Sequence, residues 1–141
     1  MPNPSLRIII DTNILVRAVS GRSFSSKIFD ALLHQEFTLC VSTEILLEYE
    51  EVLTRIYDAS TAELVIATLI VLPNVIRSEI FYDLRLIAAD VDDDKFVNCA
   101  FAANAHFIVT EDHHFKILKQ IKFPAFKVLS FDAFLAVLID K

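Results

Sequence analysis

Short apolar runs rich in β-branched residues alternate in this chain with segments of helical periodicity. Strands covered on both faces are indicated at Leu6–Ile10 (LRIII), Phe37–Val41 (FTLCV) and Phe107–Thr110 (FIVT). In the segments between them, apolar residues recur at spacings of three and four, as on a helix that packs by one side. The alternation predicts an α/β sandwich with a mostly parallel central sheet.

The length of the chain, 141 residues with 55% hydrophobic content, allows one domain with a substantial core. We therefore expect a single domain over residues 1–141. The N-terminus lacks the pattern of a secretory signal, and the most apolar run, Ala62–Leu72, is far shorter than the roughly 20 residues that span a bilayer. Cys40 and Cys99 lie in apolar runs, as buried free thiols do, which favours a soluble protein of the reducing cytoplasm.

The charge and the glycine content exclude several functional classes. A net charge of −6 argues against a protein that holds nucleic acid by a broad basic surface, although it leaves room for an enzyme whose acids bind metal. Gly21 is the single glycine, whereas a P-loop or a dinucleotide fingerprint needs several. Neither kind of nucleotide site is therefore expected.

Acidic residues follow or precede the predicted elements at positions that share one edge of the sheet. Asp11 ends the first strand, Asp112 follows the FIVT strand, and one residue of Asp92–Asp94 begins the helix predicted over about 93–105. The carboxyl ends of parallel strands and the start of the intervening helix meet at that edge. Glu48 borders the apolar stripe of the helix after the second strand, where Arg55 is its one expected partner along the helix.

Carboxylates gathered at one place repel each other unless a cation is present. Oxygen ligands select hard cations such as Mg²⁺ or Mn²⁺, and such a site suits attack of water on a phosphodiester. Taken singly, each aspartate is more simply explained as a helix cap. Taken together at one edge, the four acids favour a metal site.

The adjacent pair His113 and His114 does not have the spacing of a zinc motif. Neighbouring side chains project in different directions, so a shared zinc is not expected, and a solvated helix start is the better explanation.

The segments IIIDTNILV, STEILLEYEEVL and DDDKFVNCAFAANAHFIVTED resemble the PIN domain family. They are most similar to the bacterial stand-alone, VapC-like members that act as toxins of toxin–antitoxin pairs. The resemblance covers nearly the whole chain. It implies a three-layer α/β/α sandwich, Mg²⁺ or Mn²⁺ at a cluster of acids, and endonucleolytic cleavage of RNA.

The resemblance also assigns four acids to the catalytic metal site. They are Asp11, Glu48, Asp94 and Asp112. Asn13 and Thr110 match polar residues that accompany these acids and are given supporting hydrogen-bond roles. Glu111 stands where the family commonly has glycine, and the sequence does not decide whether it joins the site.

The choice among the three consecutive aspartates rests on two opposed arguments. Helical phase turns Asp93 toward the apolar side, whereas the sixteen positions from Asp94 to Thr110 match the family spacing. Phase is least reliable in the first turn of a helix, so we prefer Asp94 and take Asp92 as the helix cap.

Two functional hypotheses follow. In the first, the protein is a metal-dependent endoribonuclease and the toxin of a pair, with RNA held along Lys116–Lys127, Arg17 and Arg22. In the second, it is a catalytically weak or inactive protein-interaction module. It would dock a small antitoxin-like protein or a second copy of itself through Ala62–Leu72. A homo-oligomer is expected in either case.

Overall fold

A five-stranded, entirely parallel sheet forms the centre of the computed structural model, which describes residues 6–20, 26–87 and 93–139. The strand order is β3-β2-β1-β4-β5. The strands are β1 Arg7–Ile10, β2 Thr38–Val41, β3 Val75–Arg77, β4 Phe107–Val109 and β5 Val128–Leu129. The predicted α/β sandwich and its parallel sheet are confirmed.

Six α-helices of the described ranges connect and cover these strands. They are α1 Thr12–Val19, α2 Ser26–Leu33, α3 Thr43–Ile56, α4 Ala59–Val71, α5 Asp94–Ala103 and α6 Phe131–Ile139. A 3-10 helix spans His113–Gln120. Helix α5 packs on β1, β2 and β4, while α3 packs between α1 and α4.

The central strands are buried because neither face of them meets solvent. In β1, Ile8, Ile9 and Ile10 are each 0% exposed, and all four residues of β2 are buried. Burial on both faces explains why these strands appear in the sequence as continuous apolar runs instead of alternating patterns.

Several helix boundaries differ from the expected ones. The pattern Ser60-Thr61-Ala62-Glu63 predicts a capping box at the start of this helix. Helix α4 instead begins at Ala59, where Asp58 caps it by accepting a hydrogen bond from the Thr61 amide. Helix α5 ends at Ala103, because Asn104 adopts a left-handed conformation that stops it. The sequence favours no single helical phase over Ile80–Ala89, and the described part of that segment, residues 80–87, has no regular secondary structure.

Asn74 ties the connection after α2 to the start of β3. Its side chain is buried, and its Nδ2 donates to the carbonyl oxygens of Leu32 at 2.9 Å and Phe37 at 2.8 Å. The amide thus links the end of α2 and the residue before β2 to the connection that enters β3. This contact helps fix the position of the edge strand.

Helix α4 is less covered than its composition suggests. Ala62, Val65 and Leu69 are buried, but Ile70 is 67% and Val71 is 77% exposed. An apolar face therefore remains open on this helix. In the described ranges, every helix is too short or too polar to cross a bilayer.

Candidate metal centre

Asp11 lies where the central strand β1 leaves the sheet. Ile10 pairs with Val109 of β4, and the Asp11 amide donates to the Val109 carbonyl at 3.0 Å. The next residue of the neighbouring strand is Thr110, whose amide bonds to Leu129 of β5. Parallel pairing therefore places Asp11 directly beside Thr110 at the carboxyl edge of the sheet, as the sequence predicts.

The carboxylate of Asp11 is buried and held by two donors. Its Oδ1 accepts from the Thr12 amide at 2.8 Å, and its Oδ2 accepts from the Thr110 hydroxyl at 2.7 Å. Burial raises the pKa of Asp11, and the negative charges of Asp112 and Glu48 raise it further, while the two hydrogen bonds act in the opposite direction. The charged form is thus disfavoured where several acids face one another.

Helix α3 brings Glu48 to the same place through its neighbour Tyr49. The Tyr49 side chain is fully buried, and its hydroxyl donates to the carbonyl oxygen of Ile10, the last residue of β1. This bond anchors α3 to the end of the central strand. Glu48, one position earlier and half-buried, consequently reaches α1 and accepts a hydrogen bond from the Thr12 hydroxyl.

Lys95 supplies a positive charge that the sequence reasoning missed. Its Nζ lies 2.7 Å from Glu48 Oε1, and the Lys95 side chain is only 14% exposed. The expected partner of Glu48, Arg55, is exposed on α3. The pair joins α3 to the start of α5, forty-seven positions apart in sequence. The available signal was the position of Lys95, immediately after the acid proposed to open α5.

The sequence analysis also did not single out Thr12. This residue makes the supporting hydrogen bond that the resemblance assigned to its neighbour Asn13. Asn13 is exposed on α1, whereas Thr12 is buried and its hydroxyl bonds to Glu48. Thr110 takes the supporting position expected for it, since its hydroxyl donates to Asp11 and accepts from the Asp112 amide at 3.0 Å. The two threonines connect three of the four acids.

Asp112 ends the turn after β4 and caps the 3-10 helix. Its Oδ1 accepts from the His114 amide at 2.9 Å. The side chain of Asp112 is 30% exposed, and its negative charge contributes to the raised pKa of Asp11. Glu111 instead accepts a hydrogen bond from the Phe131 amide at 2.8 Å, which directs it toward α6 and away from the other acids.

The two described aspartates at the start of α5 differ in their contacts. Asp94 is buried, and its Oδ1 accepts from the Ile87 amide at 2.8 Å. Asp93 Oδ2 lies 3.6 Å from His114 Nδ1, on the side of Asp112. The placement of Asp93 agrees with helical phase, and the assignment of Asp94 as a ligand stays a prediction. Asp92, the expected cap, lies outside the described residues.

A cleft of about 430 Å³ opens beside Asp94. Asp94, Lys95 and Asn98 of α5 form one wall, and residues 80–83 together with Glu44 form the other. Asp11, Glu48 and Asp112 are not among the residues that line it.

The donor set of this edge fits a divalent cation. In the described ranges, Asp112, His113 and His114 offer ligand atoms within 4.8 Å of one another, and this group does not include Asp11, Glu48 or Asp94. His114 Nδ1 is buried and makes no hydrogen bond with the described residues. A nitrogen lone pair left in this state beside carboxylates suits a metal ligand.

Comparison with known proteins agrees with the fold. The family model described as PIN domain matches residues 7–114. No curated protein sequence matches this chain.

Three solved structures illustrate the similarity. VapBC2 from Rickettsia felis, bound to a DNA fragment from its promoter, superposes with a TM-score of 0.61 at 19% identity, covering 88% of this chain and 98% of that one. PAE2754 from Pyrobaculum aerophilum has a TM-score of 0.60 at 14% identity, covering 96% and 91%. VapC20 from Mycobacterium tuberculosis, a sarcin-ricin loop cleaving toxin, has a TM-score of 0.57 at 13% identity, covering 77% and 92%.

The family match spans well over half of the chain, so this protein belongs to the PIN domain family. At these identities the structural similarities establish the fold alone, and the activity has to be argued from the site.

Replacing Asp11 by Asn should stabilise the metal-free protein at neutral pH. A carboxyl whose pKa is raised by folding binds a proton more readily in the native state, so the wild type loses stability as pH rises from 3.8 through the native pKa. Asn has no group that ionises in this range, so the variant does not lose stability in this way as pH rises. In chelator, the melting temperature of Asp11→Asn should exceed that of the wild type by a few degrees at pH 7, and the difference should vanish near pH 3.8.

Asp58→Asn is the matched control with the opposite sign. The hydrogen bonds from Thr61 lower the pKa of Asp58, so the charged form stabilises α4 above pH 3.8 and that contribution is lost on acidification. Asp58→Asn should therefore be less stable than the wild type at pH 7. Equal pH profiles for the wild type and Asp11→Asn would contradict the inferred burial cost at Asp11.

Proposed function

We propose that this protein is a metal-dependent endoribonuclease that hydrolyses RNA phosphodiester bonds. The observation that carries the proposal is that Thr12 and Thr110 link Asp11 to Glu48 and Asp112 at the carboxyl edge of the sheet. Thr12 bonds to the Asp11 carboxylate through its amide and to Glu48 through its hydroxyl, while the Thr110 hydroxyl donates to the Asp11 carboxylate and accepts from the Asp112 amide. A structural role needs neither a buried carboxyl of raised pKa nor two threonines that join it to further acids. Membership of the PIN family supports the same conclusion.

The proposed cation is Mg²⁺ or Mn²⁺, held by the four acids named from the sequence. They are Asp11, Glu48, Asp94 and Asp112. When bound, the ion supplies activation of water and stabilisation of charge on the phosphate. The chain's own contribution is orientation, because Thr110 and the Thr12 amide fix both oxygens of Asp11.

Lys95 is well placed to limit the negative charge of this site before RNA arrives. Its ammonium neutralises Glu48 Oε1, while Thr12 occupies Oε2, so both oxygens of Glu48 are engaged by the chain. Lys95 also lines the cleft beside Asp94. A largely buried ammonium at that point offers a positive charge to a phosphate that enters the cleft.

The RNA backbone is placed along the locally basic segment after β4. Lys116, Lys119, Lys122 and Lys127 are all exposed, and the first two lie on the 3-10 helix that Asp112 caps. Arg17 is exposed on α1, over the ring of Phe131. Arg22, the other arginine of this prediction, lies outside the described residues.

The toxin role and the partners are supported by the open face of α4. A small antitoxin and a second copy of the chain are both proposed to use apolar surface, and α4 exposes Leu64, Ile70 and Val71. The similarity of this fold to the solved structure of a VapBC assembly is consistent with this role. If catalysis is weak, the same surface supports the second candidate function, a protein-interaction module.

The proposed location is the reducing cytoplasm. The buried free thiols of Cys40 and Cys99 are compatible with it.

Cleavage of a single-stranded RNA should require Mg²⁺ or Mn²⁺ and should disappear in excess chelator. Asp11→Asn and Asp94→Asn should each reduce the rate by at least about 100-fold, because loss of a charged ligand removes several kcal/mol of charge stabilisation. The measurement is product formation on a denaturing gel, with Asp58→Asn as the control that keeps full activity. Cleavage that persists in chelator, or unchanged rates in both variants, would refute the nuclease proposal.

Reversing charge on the basic segment should weaken RNA binding in a salt-dependent way. For Lys116→Glu with Lys119→Glu, the slope of log affinity against log salt should fall by about 0.7 for each lost phosphate contact with single-stranded RNA. Fluorescence anisotropy with Asp11→Asn as the uncut background measures both quantities. Arg55→Glu on α3 is the control. An unchanged slope in the double variant would refute the proposal that RNA binds along this segment.

Charge on the open face of α4 should disrupt self-association. Leu64→Lys with Ile70→Lys should weaken dimerisation by on the order of 30-fold or more, as loss of a central apolar contact does. Sedimentation velocity distinguishes the states, and Phe123→Lys, at another exposed apolar position, should leave them unchanged. A wild type that sediments as a monomer at all concentrations would contradict the homo-oligomer.

A small antitoxin should protect the same face from amide hydrogen exchange.

A further inference from the structure

His114 lies between two carboxylates at distances that do not correspond to hydrogen bonds. Its Nδ1 is 3.4 Å from Asp112 Oδ1 and 3.6 Å from Asp93 Oδ2, whereas an N–H···O bond spans about 2.7–3.2 Å. The same nitrogen is buried and has no hydrogen-bond partner among the described residues. A histidine packed only for structure would ordinarily satisfy such an atom.

The spacing does correspond to ligands around one ion. Two ligand atoms at bonds of about 2.0–2.2 Å from one ion lie at most about 4.4 Å apart, whatever the coordination geometry. The distances from His114 Nδ1 to each of the two carboxylate oxygens are within that limit. The three atoms come from two elements, the start of α5 and the 3-10 helix after β4, which pack against each other through Phe96 and Phe115. Ligands from two packed elements make a site whose geometry the fold maintains.

Backbone contacts keep the histidine in place. The His114 amide donates to Asp112 Oδ1 at 2.9 Å, so the carboxylate and the ring are held by the same turn. The ring also lies against His113, with 4.4 Å between centroids. His113 itself is 77% exposed and its Nδ1 is 3.9 Å from Asp112, so His114 is the better-placed ligand.

We propose that His114 Nδ1, with Asp112 Oδ1 and Asp93 Oδ2, binds a divalent transition-metal ion and gives the metal centre a nitrogen ligand. The inference extends the proposed nuclease site, with which it shares Asp112. A site made of oxygens alone serves Mg²⁺ well, but imidazole suits transition metals. His114 therefore makes the centre bind Mn²⁺ in preference to Mg²⁺. Asp93 acquires a role that the family spacing gives to its neighbour Asp94.

The test uses the full chain loaded with Mn²⁺ and electron spin-echo envelope modulation, which detects ¹⁴N bound to the ion. The wild type and His113→Ala should show imidazole nitrogen coupling, and His114→Ala should show none. Isothermal titration should give an Mn²⁺ affinity about 10-fold or more weaker in His114→Ala, with a much smaller change for Mg²⁺. His34→Ala, on an exposed histidine of a distant loop, is the control for general loss of imidazole.

The outcomes separate this inference from the nuclease proposal. The assignment of His114 is overturned if Mn²⁺ binds the wild type without nitrogen coupling, or if the coupling is lost in His113→Ala and kept in His114→Ala. Either result counts against His114 even where RNA is cleaved. Nitrogen coupling in a protein that cuts no RNA supports the site while the nuclease proposal fails. Thermal unfolding of His114→Ala, expected near the wild-type temperature because the ring is partly exposed, excludes misfolding as the cause.

Discussion

The buried carboxyl of Asp11 is the constraint around which this molecule is arranged. It stands at the end of the central strand, where the Thr12 amide and the Thr110 hydroxyl bond to it and the negative charges of Asp112 and Glu48 act on it. Burial of a charge is costly unless donors or a cation compensate it. The chain supplies two hydrogen bonds and then adds further acids at the same place. The arrangement opposes stability, which is the usual mark of a functional site.

The helices reach this point because the sheet gives them fixed attachment sites. Tyr49 fastens α3 to the last carbonyl of β1, and the pairing of Ile10 with Val109 fixes where β4 ends. Glu48 then meets α1 through the Thr12 hydroxyl, and the Asp112 amide bonds to the Thr110 hydroxyl, which in turn donates to Asp11. Attachment to rigid elements is what holds these side chains in fixed positions.

The sequence was sufficient for the sheet and for the edge that holds the acids. Strands buried on both faces require continuous apolar runs, and an aspartate directly after such a run is visible without a structure. The side chains that connect the acids were less accessible. Lys95 meets Glu48 across forty-seven positions, and His114 meets Asp93 across a turn and a helix start, so both depend on how elements pack. Asp58 displaced the expected cap of α4 because several cap-forming residues follow one another there.

The two sides of the proposed metal site differ in how many of their ligand atoms already have partners within the chain. On the side of α3, Thr12 and Lys95 engage both oxygens of Glu48, so an ion binding there must displace groups that already compensate the charge. On the side of β4, Asp112 is partly exposed and His114 Nδ1 makes no hydrogen bond within the described residues. Binding is favoured where no existing partner has to be given up. A cation is therefore expected to enter from the side of Asp112, with Glu48 and Lys95 adjusting after it.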